Sequence, residues 1–190
     1  VDAHTHTWGN ALNEALNFGV TTELDMFTMP SFFQPQQKLR DELTNTNQAD
    51  LYSATILATA PKGHGTEYGF DIPVLENVEQ VSEFVEQRIN DGADYIKAVY
   101  SSEKSKRKHF PSISLEILKA LSIESLKHNK ILVVHVDDLV SAKESISAGA
   151  KGLVHSFMDK EVDDELIKLM KDNKAFIVPT LQVEASISGL

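Results

Sequence analysis

The stretch Ile131-Leu132-Val133-Val134-His135 places four branched apolar residues in a row and ends them on an imidazole. A strand with one wet face alternates apolar and polar residues. An unbroken run of this kind suits a strand covered on both faces, the usual state in a parallel sheet. Working outward from it, residues 20–25, 51–60, 95–100, 152–157 and 176–181 have the same short apolar character and are candidate strands. Residues 1–4 read as the tail of another, which brings the count, with 131–136, to seven.

Helical patterns fill the gaps. Val78, Val81, Val85 and Ile89 fall on one stripe, Leu115, Leu118, Leu121 and Leu126 suggest a second, and Asp163 is placed to cap a helix carrying Leu166, Ile167 and Met170. Gly19, Gly92 and Gly149 each follow a helical segment and precede a strand, where glycine accepts the left-handed turn that ends a helix. This rhythm predicts βα units. A doubly wound sheet and a (β/α)8 barrel both accommodate seven strands. The polar candidates all fall near strand C-termini, the face on which barrel sites are built, and no glycine-rich phosphate loop follows the first strand. The expected fold class is therefore α/β, an incomplete (β/α)8 TIM barrel occupying residues 1–190 as one domain.

The chain has 190 residues, 42% of them hydrophobic, enough for one sizeable core. Its net charge of −10 makes nucleic acid an unexpected partner, because a phosphate surface needs a basic patch. The short basic cluster at 104–108 reads as a solvated loop. No run approaches the roughly 20 apolar residues of a membrane span, so no membrane partner is expected either. There are no cysteines, so disulfides and thiolate sites are excluded and any metal must sit on nitrogen and oxygen. That absence fits a reducing compartment such as the cytoplasm. The chain opens at Val1, already at a histidine pair, and stops after an apolar run, which reads as a piece of a longer protein. Its oligomeric state is open, a homo-oligomer included.

Chemistry concentrates at five positions. His4 and His6 lie two apart, so on an extended strand both imidazoles point the same way and can reach one ion. His135 and His155 each end an apolar strand; singly, each reads as a core histidine bonded to a carbonyl, but four on one rim form a pattern. Lys97 interrupts Tyr95-Ile96-Lys97-Ala98-Val99, a strand expected to be buried. A buried ammonium shifts its pKa or is neutralised, and a neutral lysine can add carbon dioxide to become an anionic carbamate. The plain alternative is a strand-end lysine reaching solvent.

These residues carry a resemblance. Val1-Asp2-Ala3-His4-Thr5-His6 is similar to the first-strand His-x-His motif of the amidohydrolase superfamily. Gly92-Ala93-Asp94-Tyr95-Ile96-Lys97 resembles its fourth strand with the carboxylated lysine, and Val133-Val134-His135 and Gly152-Leu153-Val154-His155 its fifth and sixth. Gly19-Val20-Thr21-Thr22 and Val178-Pro179-Thr180-Leu181 resemble the second and seventh strands of the branch related to imidazolonepropionase and metal-dependent prolidases. The resemblance implies two divalent metal ions, zinc by preference. His4 and His6 would hold one, His135 and His155 the other, and carbamylated Lys97 would bridge them. It implies a metal-dependent hydrolase that cleaves the C–N amide bond of a small molecule, such as a dipeptide, an N-acyl amino acid or a cyclic amide. Its nucleophile would be a metal-activated hydroxide, and Lys97 and His155 would be the catalytic residues. The family's eighth-strand aspartate and flanking β-sandwich have no counterpart in these residues.

Weaker candidates surround these. Gly63-His64-Gly65-Thr66-Glu67-Tyr68-Gly69 follows the third strand, where His64 and Tyr68 are candidate substrate contacts, and Tyr100 is a third or else a packed strand-end tyrosine. Asp25 is a candidate support for the ligands, His109 lies in the basic loop, His128 sits near a helix C-terminus, and Asp137 and Asp138 are expected to start the helix after His135. Three other readings stay open at this point: a lactone or phosphotriester hydrolase on the same site, a mononuclear deaminase-like centre with an ordinary Lys97, and a metal-free barrel without activity.

Overall fold

A computed structural model describes residues 1–44, 47–106 and 110–189. Seven strands are seen among them: β1 (Asp2–Thr5), β2 (Thr22–Asp25), β3 (Asp50–Ser53), β4 (Ile96–Val99), β5 (Leu132–His135), β6 (Gly152–Val154) and β7 (Phe176–Val178). Helices α1 (Ala11–Asn17), α2 (Pro30–Asp41), α3 (Val81–Asn90), α4 (Leu115–Lys127), α5 (Leu139–Ser147), α6 (Asp164–Asn173) and α7 (Leu181–Ser188) follow the strands in turn. All pairings are parallel. They form two neighbouring sheets, β1-β2-β3 and β4-β5-β6-β7, joined by an isolated bridge between Ala58 and Ala98. Among the described residues no helix is long and apolar enough to cross a membrane.

Alternation along the strands sorts the core into layers. Ile96, Ala98, Leu132, Val134 and Leu153 pack against Val85, Leu118, Leu121, Ile146 and Leu166 of the surrounding helices. Their sequence neighbours Tyr95, Val133 and Val154 pack instead with Met26 and Ala54. Lys97 pairs in register with Val133 and Val99 with His135. By the two-residue period, Lys97 therefore belongs to the face of Tyr95, away from the helices.

The helix starts and stops follow the local chemistry. Asp138 Oδ1 accepts from Ser141 N at 2.7 Å, Asp163 Oδ1 from Leu166 N at 3.0 Å and Ser114 Oγ from Ile117 N at 3.2 Å, so α5, α6 and α4 each open on a side-chain cap. Gly92 turns at φ 89° between α3 and β4. Each stripe is corrected at one residue: Val78 is exposed in a 3-10 turn ahead of α3, Ile167 is exposed on α6, and Leu126 is exposed because it lies five residues after Leu121 and rotates off the buried face, where Ser125 takes the inward place.

The strands are shorter than their apolar runs suggest, and positive-φ residues mark where they end. Thr55 (φ 55°) takes the chain out of the ladder after β3, so the expected strand 51–60 is realised at its start as β3 and beyond it only as the bridge at Ala58. His155 (φ 72°) ends β6, and after β7 Pro179 precedes Thr180 (φ 48°), where α7 begins. Arg40 ties the first sheet to the second: it donates to the Leu51 carbonyl at 2.7 Å and to both oxygens of Asp94 at 3.1 and 3.2 Å.

Candidate active site

The structure brings His4, His6, His135 and His155 together at the C-terminal ends of their strands. Ring centroids of His6 and His4 are 5.4 Å apart, His4 and His155 4.5 Å, and His155 and His135 4.4 Å. His64 extends the row, 5.1 Å from His135. Five imidazoles thus stand side by side, drawn from both sheets and from the loop after β3.

Each ring is held by a different device. His155 Nδ1 lies 2.8 Å from Thr180 Oγ1, and its backbone N–H donates to the Val178 carbonyl. Its positive φ is strain of the kind that collects at functional sites. His135 Nε2 lies 3.0 Å from Asp137 Oδ1. His64 Nδ1 meets Glu67 Oε1 at 2.6 Å. His4 Nδ1 is buried with no hydrogen-bond partner. A buried nitrogen left unpaired is unfavourable unless something else occupies its lone pair or proton.

Burial disfavours protonation of His4, His6, His135 and His155. Burial first, then the Lys97 charge and the neighbouring rings, hold His4 down at about 2. Burial and then His135 and Lys97 hold His155 at about 3. His6 and His135 are lowered chiefly by burial; for His6 Lys97 adds to the shift, and for His135 the bond to Asp137 partly offsets it. Lys97 is 3% exposed, and burial pulls it from 10.5 to about 7 against the attraction of Asp25. Near neutrality it is therefore a buried amine without a fixed charge.

Asp25 supports this floor. It is fully buried, accepts from Thr7 N and Ser53 Oγ at 2.8 Å each, and burial raises it to about 7. Thr7 Oγ1 also donates to buried Glu23 at 2.8 Å. Tyr95 donates to the Asp25 carbonyl at 2.7 Å.

The remaining candidates divide. His64 and Tyr68 stand on the rim, their rings 5.8 Å apart, and Tyr68 also packs on Phe27 at 5.7 Å. Tyr100 is elsewhere: it is buried in the helix-side core with its hydroxyl 2.5 Å from Glu144 Oε2, so the packed strand-end reading describes it. Asp138 caps α5 as expected, whereas Asp137 turns back to His135. His128 is the residue that closes α4, and His109 falls outside the described residues. Sequence reading did not single out Thr180 as the partner of His155, nor the aromatic wall of Trp8, Phe27, Phe32 and Phe70 beside His6. Trp8 carries the one signal available, two residues beyond His6 as His6 is beyond His4.

Among the described residues, no three histidine or carboxylate groups already converge as a closed metal site. The imidazoles pack ring to ring. The orphaned His4 nitrogen and the imidazoles whose protonation burial disfavours are nevertheless nitrogen donors of the residue type that coordinates transition metals.

A parallel βα barrel wall with its reactive side chains at the C-terminal strand ends is the architecture of TIM-barrel enzymes. Relatives narrow the class. No protein-family model matches the chain. Over 113 residues, 58% of this chain and 23% of that protein, it is 30% identical to ochratoxinase of Aspergillus niger. The crystal structure of A. niger ochratoxinase superposes with a TM-score of 0.75 at 22% identity, covering 99% of this chain and 53% of that one. A Xaa-Pro dipeptidase with methionine bound in its active site gives 0.74 at 21%, covering 90% and 45%. The chain thus spans about half the length of these solved structures and about a quarter of the curated relative. The chain is similar to ochratoxinase in sequence over those 113 residues, and to both solved structures in fold.

Proposed function

We propose that this chain forms the metal-binding part of a hydrolase that cleaves a C–N amide bond in a small molecule. The observation that carries the reading is the row of four unprotonated imidazoles beside a buried lysine held near neutrality. The ochratoxinase and Xaa-Pro dipeptidase relatives support the amide class.

His4 and His6 would hold one divalent ion, His135 and His155 a second, and Lys97 as its carbamate would bridge them. Bound there, the ions supply Lewis acidity toward the scissile carbonyl and lower the pKa of water to roughly 7. The chain's residues prepare this in identifiable ways. Desolvation leaves the Lys97 amine a free electron pair with which to attack carbon dioxide; the nitrogen then loses a proton and the product is an anionic carbamate. Low histidine pKa values keep four lone pairs available at neutral pH. Thr180 and Asp137 each engage one nitrogen of His155 and His135 and so fix the ring orientation. His64 and Tyr68 are positioned to hold the substrate at the rim.

Ring-to-ring packing of the histidines favours a second reading, a metal-free imidazole cluster. Elemental analysis of protein purified without chelator separates the two. Close to two transition-metal ions per chain, with a mass gain of one carbon dioxide at Lys97, supports the binuclear hydrolase. A value near one points to a mononuclear centre with an ordinary lysine. No metal after incubation with zinc and bicarbonate refutes the metal-dependent reading.

A further inference from the structure

The imidazole row lies between two cavities of different character. The larger, about 620 Å³, touches His6 and is walled by the aromatic rings of Trp8, Phe27, Phe32, Tyr68 and Phe70. No Lys, Arg, Asp or Glu is among its described lining residues. The smaller, about 220 Å³, touches His135 and is lined by His64, Ser101, Ser112 and Asp137 beside Phe110. The loop after β3 contributes to both, with His64 in the small cavity and Tyr68 and Phe70 in the large one.

We infer that the large cavity is a specificity pocket for an aromatic group, so that the preferred substrate is an amide with an aromatic substituent on one side and a smaller, more polar one on the other. The inference rests on the hydrolase reading above and adds the substrate class. Two features carry it. The volume falls in the range of ligand sites rather than of packing defects. Five rings from three separate segments offer faces and edges to an incoming ring, which gains from offset or edge-on contact beyond simple burial. A carboxylate or an ammonium entering this half-open cavity would lose part of its hydration and meet no opposite charge among the described lining residues. The smaller cavity offers hydroxyl, imidazole and carboxylate groups and takes the polar end.

Trp8 is the chain's single tryptophan and lines the large cavity, so its fluorescence reports occupancy without any need for turnover. The experiment titrates zinc-loaded protein with N-acetyl-L-phenylalanine, N-acetyl-L-alanine and N-acetyl-L-glutamate, and with phenylacetylglycine against acetylglycine. Replacing a methyl by a phenyl in a partly open apolar pocket is expected to tighten binding at least about tenfold. An aromatic preference in either series supports the pocket, and Phe70→Ala should reduce the ratio of N-acetyl-L-phenylalanine to N-acetyl-L-alanine affinity to a few-fold. Phe70 is half-exposed, so this truncation leaves the core intact; Tyr68→Ala is the second probe of the same wall. Equal affinities across both series, or a preference for glutamate, overturns the inference. Aromatic binding without hydrolysis of any amide would leave the pocket standing and remove the hydrolase reading. Hydrolysis without aromatic preference would do the opposite.

Discussion

Replacing Lys97 by methionine should make the metal-free protein more stable, and the gain should depend on pH in a calculable way. In the folded chain the lysine sits at about 7, against 10.5 when unfolded. Between these values the unfolded chain binds the proton and the folded chain does not, so stability rises with pH across that window. Integrating the linkage gives a destabilisation of about 3 kcal/mol at about pH 8 that shrinks to about 1 kcal/mol at about pH 9.5. The window avoids interference from neighbours. Asp25, also near 7, has lost its proton by then, and Tyr95 and Tyr100, both raised first by burial, begin to oppose the trend only near pH 10. Methionine has a similar length and carries no charge to bury. Lys97→Met is therefore expected to be about 3 kcal/mol more stable at about pH 8, roughly 6–12 °C in Tm for a chain of this size. Urea denaturation of chelator-treated protein at several pH values tests this. Wild type should gain about 2 kcal/mol between about pH 8 and about pH 9.5, and the variant should show no such slope. A wild type without this slope would show that Lys97 keeps its proton in the fold, and a variant that retains it would assign the slope to another group; either result would remove the basis for carbamylation of Lys97.

Two further outcomes follow from the same site. Because His4 and His155 fall to about 2 and about 3 from 6.5, the unfolded chain takes up protons there before the folded chain does, and metal-free stability should decline as pH drops below about 6.5. His155→Asn should flatten that acid limb in urea titrations; an unchanged limb would place the sensitivity elsewhere. Asp25→Asn should raise metal-free stability above about pH 7, because burial holds the carboxyl at about 7 and so disfavours its ionised form in the fold, while an amide oxygen still accepts from Thr7 N and the Ser53 hydroxyl can turn to accept from the amide. A variant less stable than wild type in urea at about pH 8 would show that the ionised carboxylate is favoured by its bonds in the fold.

What was legible in the sequence was whatever burial writes directly into composition. Strands β4, β5 and β6 are short apolar runs because both their faces are covered, and Lys97 stood out because a charge in such a run demands an explanation. The four histidines were legible for the same reason, as polar ends of apolar strands. Strand ends were less so: Thr55, His155 and Thr180 adopt positive φ without being glycine, and nothing in their identity announces it. Asp137 and Asp138 look alike in sequence, yet one caps α5 and the other meets His135, a choice made by backbone direction. Tyr100 was ambiguous because a strand-end tyrosine can face either layer, and only Glu144 on α5 decides it. The aromatic wall was invisible because its rings come from three segments that only the fold assembles.

The two sheets meet along a seam fastened by shared apolar packing and by hydrogen bonds. Across it run the backbone bonds of Ala58 to Lys97 and Val99, that of Asp94 to Ser53, the Tyr95 hydroxyl to the Asp25 carbonyl, and the Arg40–Asp94 pair. His4 and His6 belong to one bank, and Lys97, His135 and His155 to the other. A small rotation about this seam would change the spacing between the two groups while leaving every strand ladder within each sheet unbroken. The histidine cluster therefore straddles a joint, and its spacing depends on how the two halves pack against each other as well as on the ladder within either half.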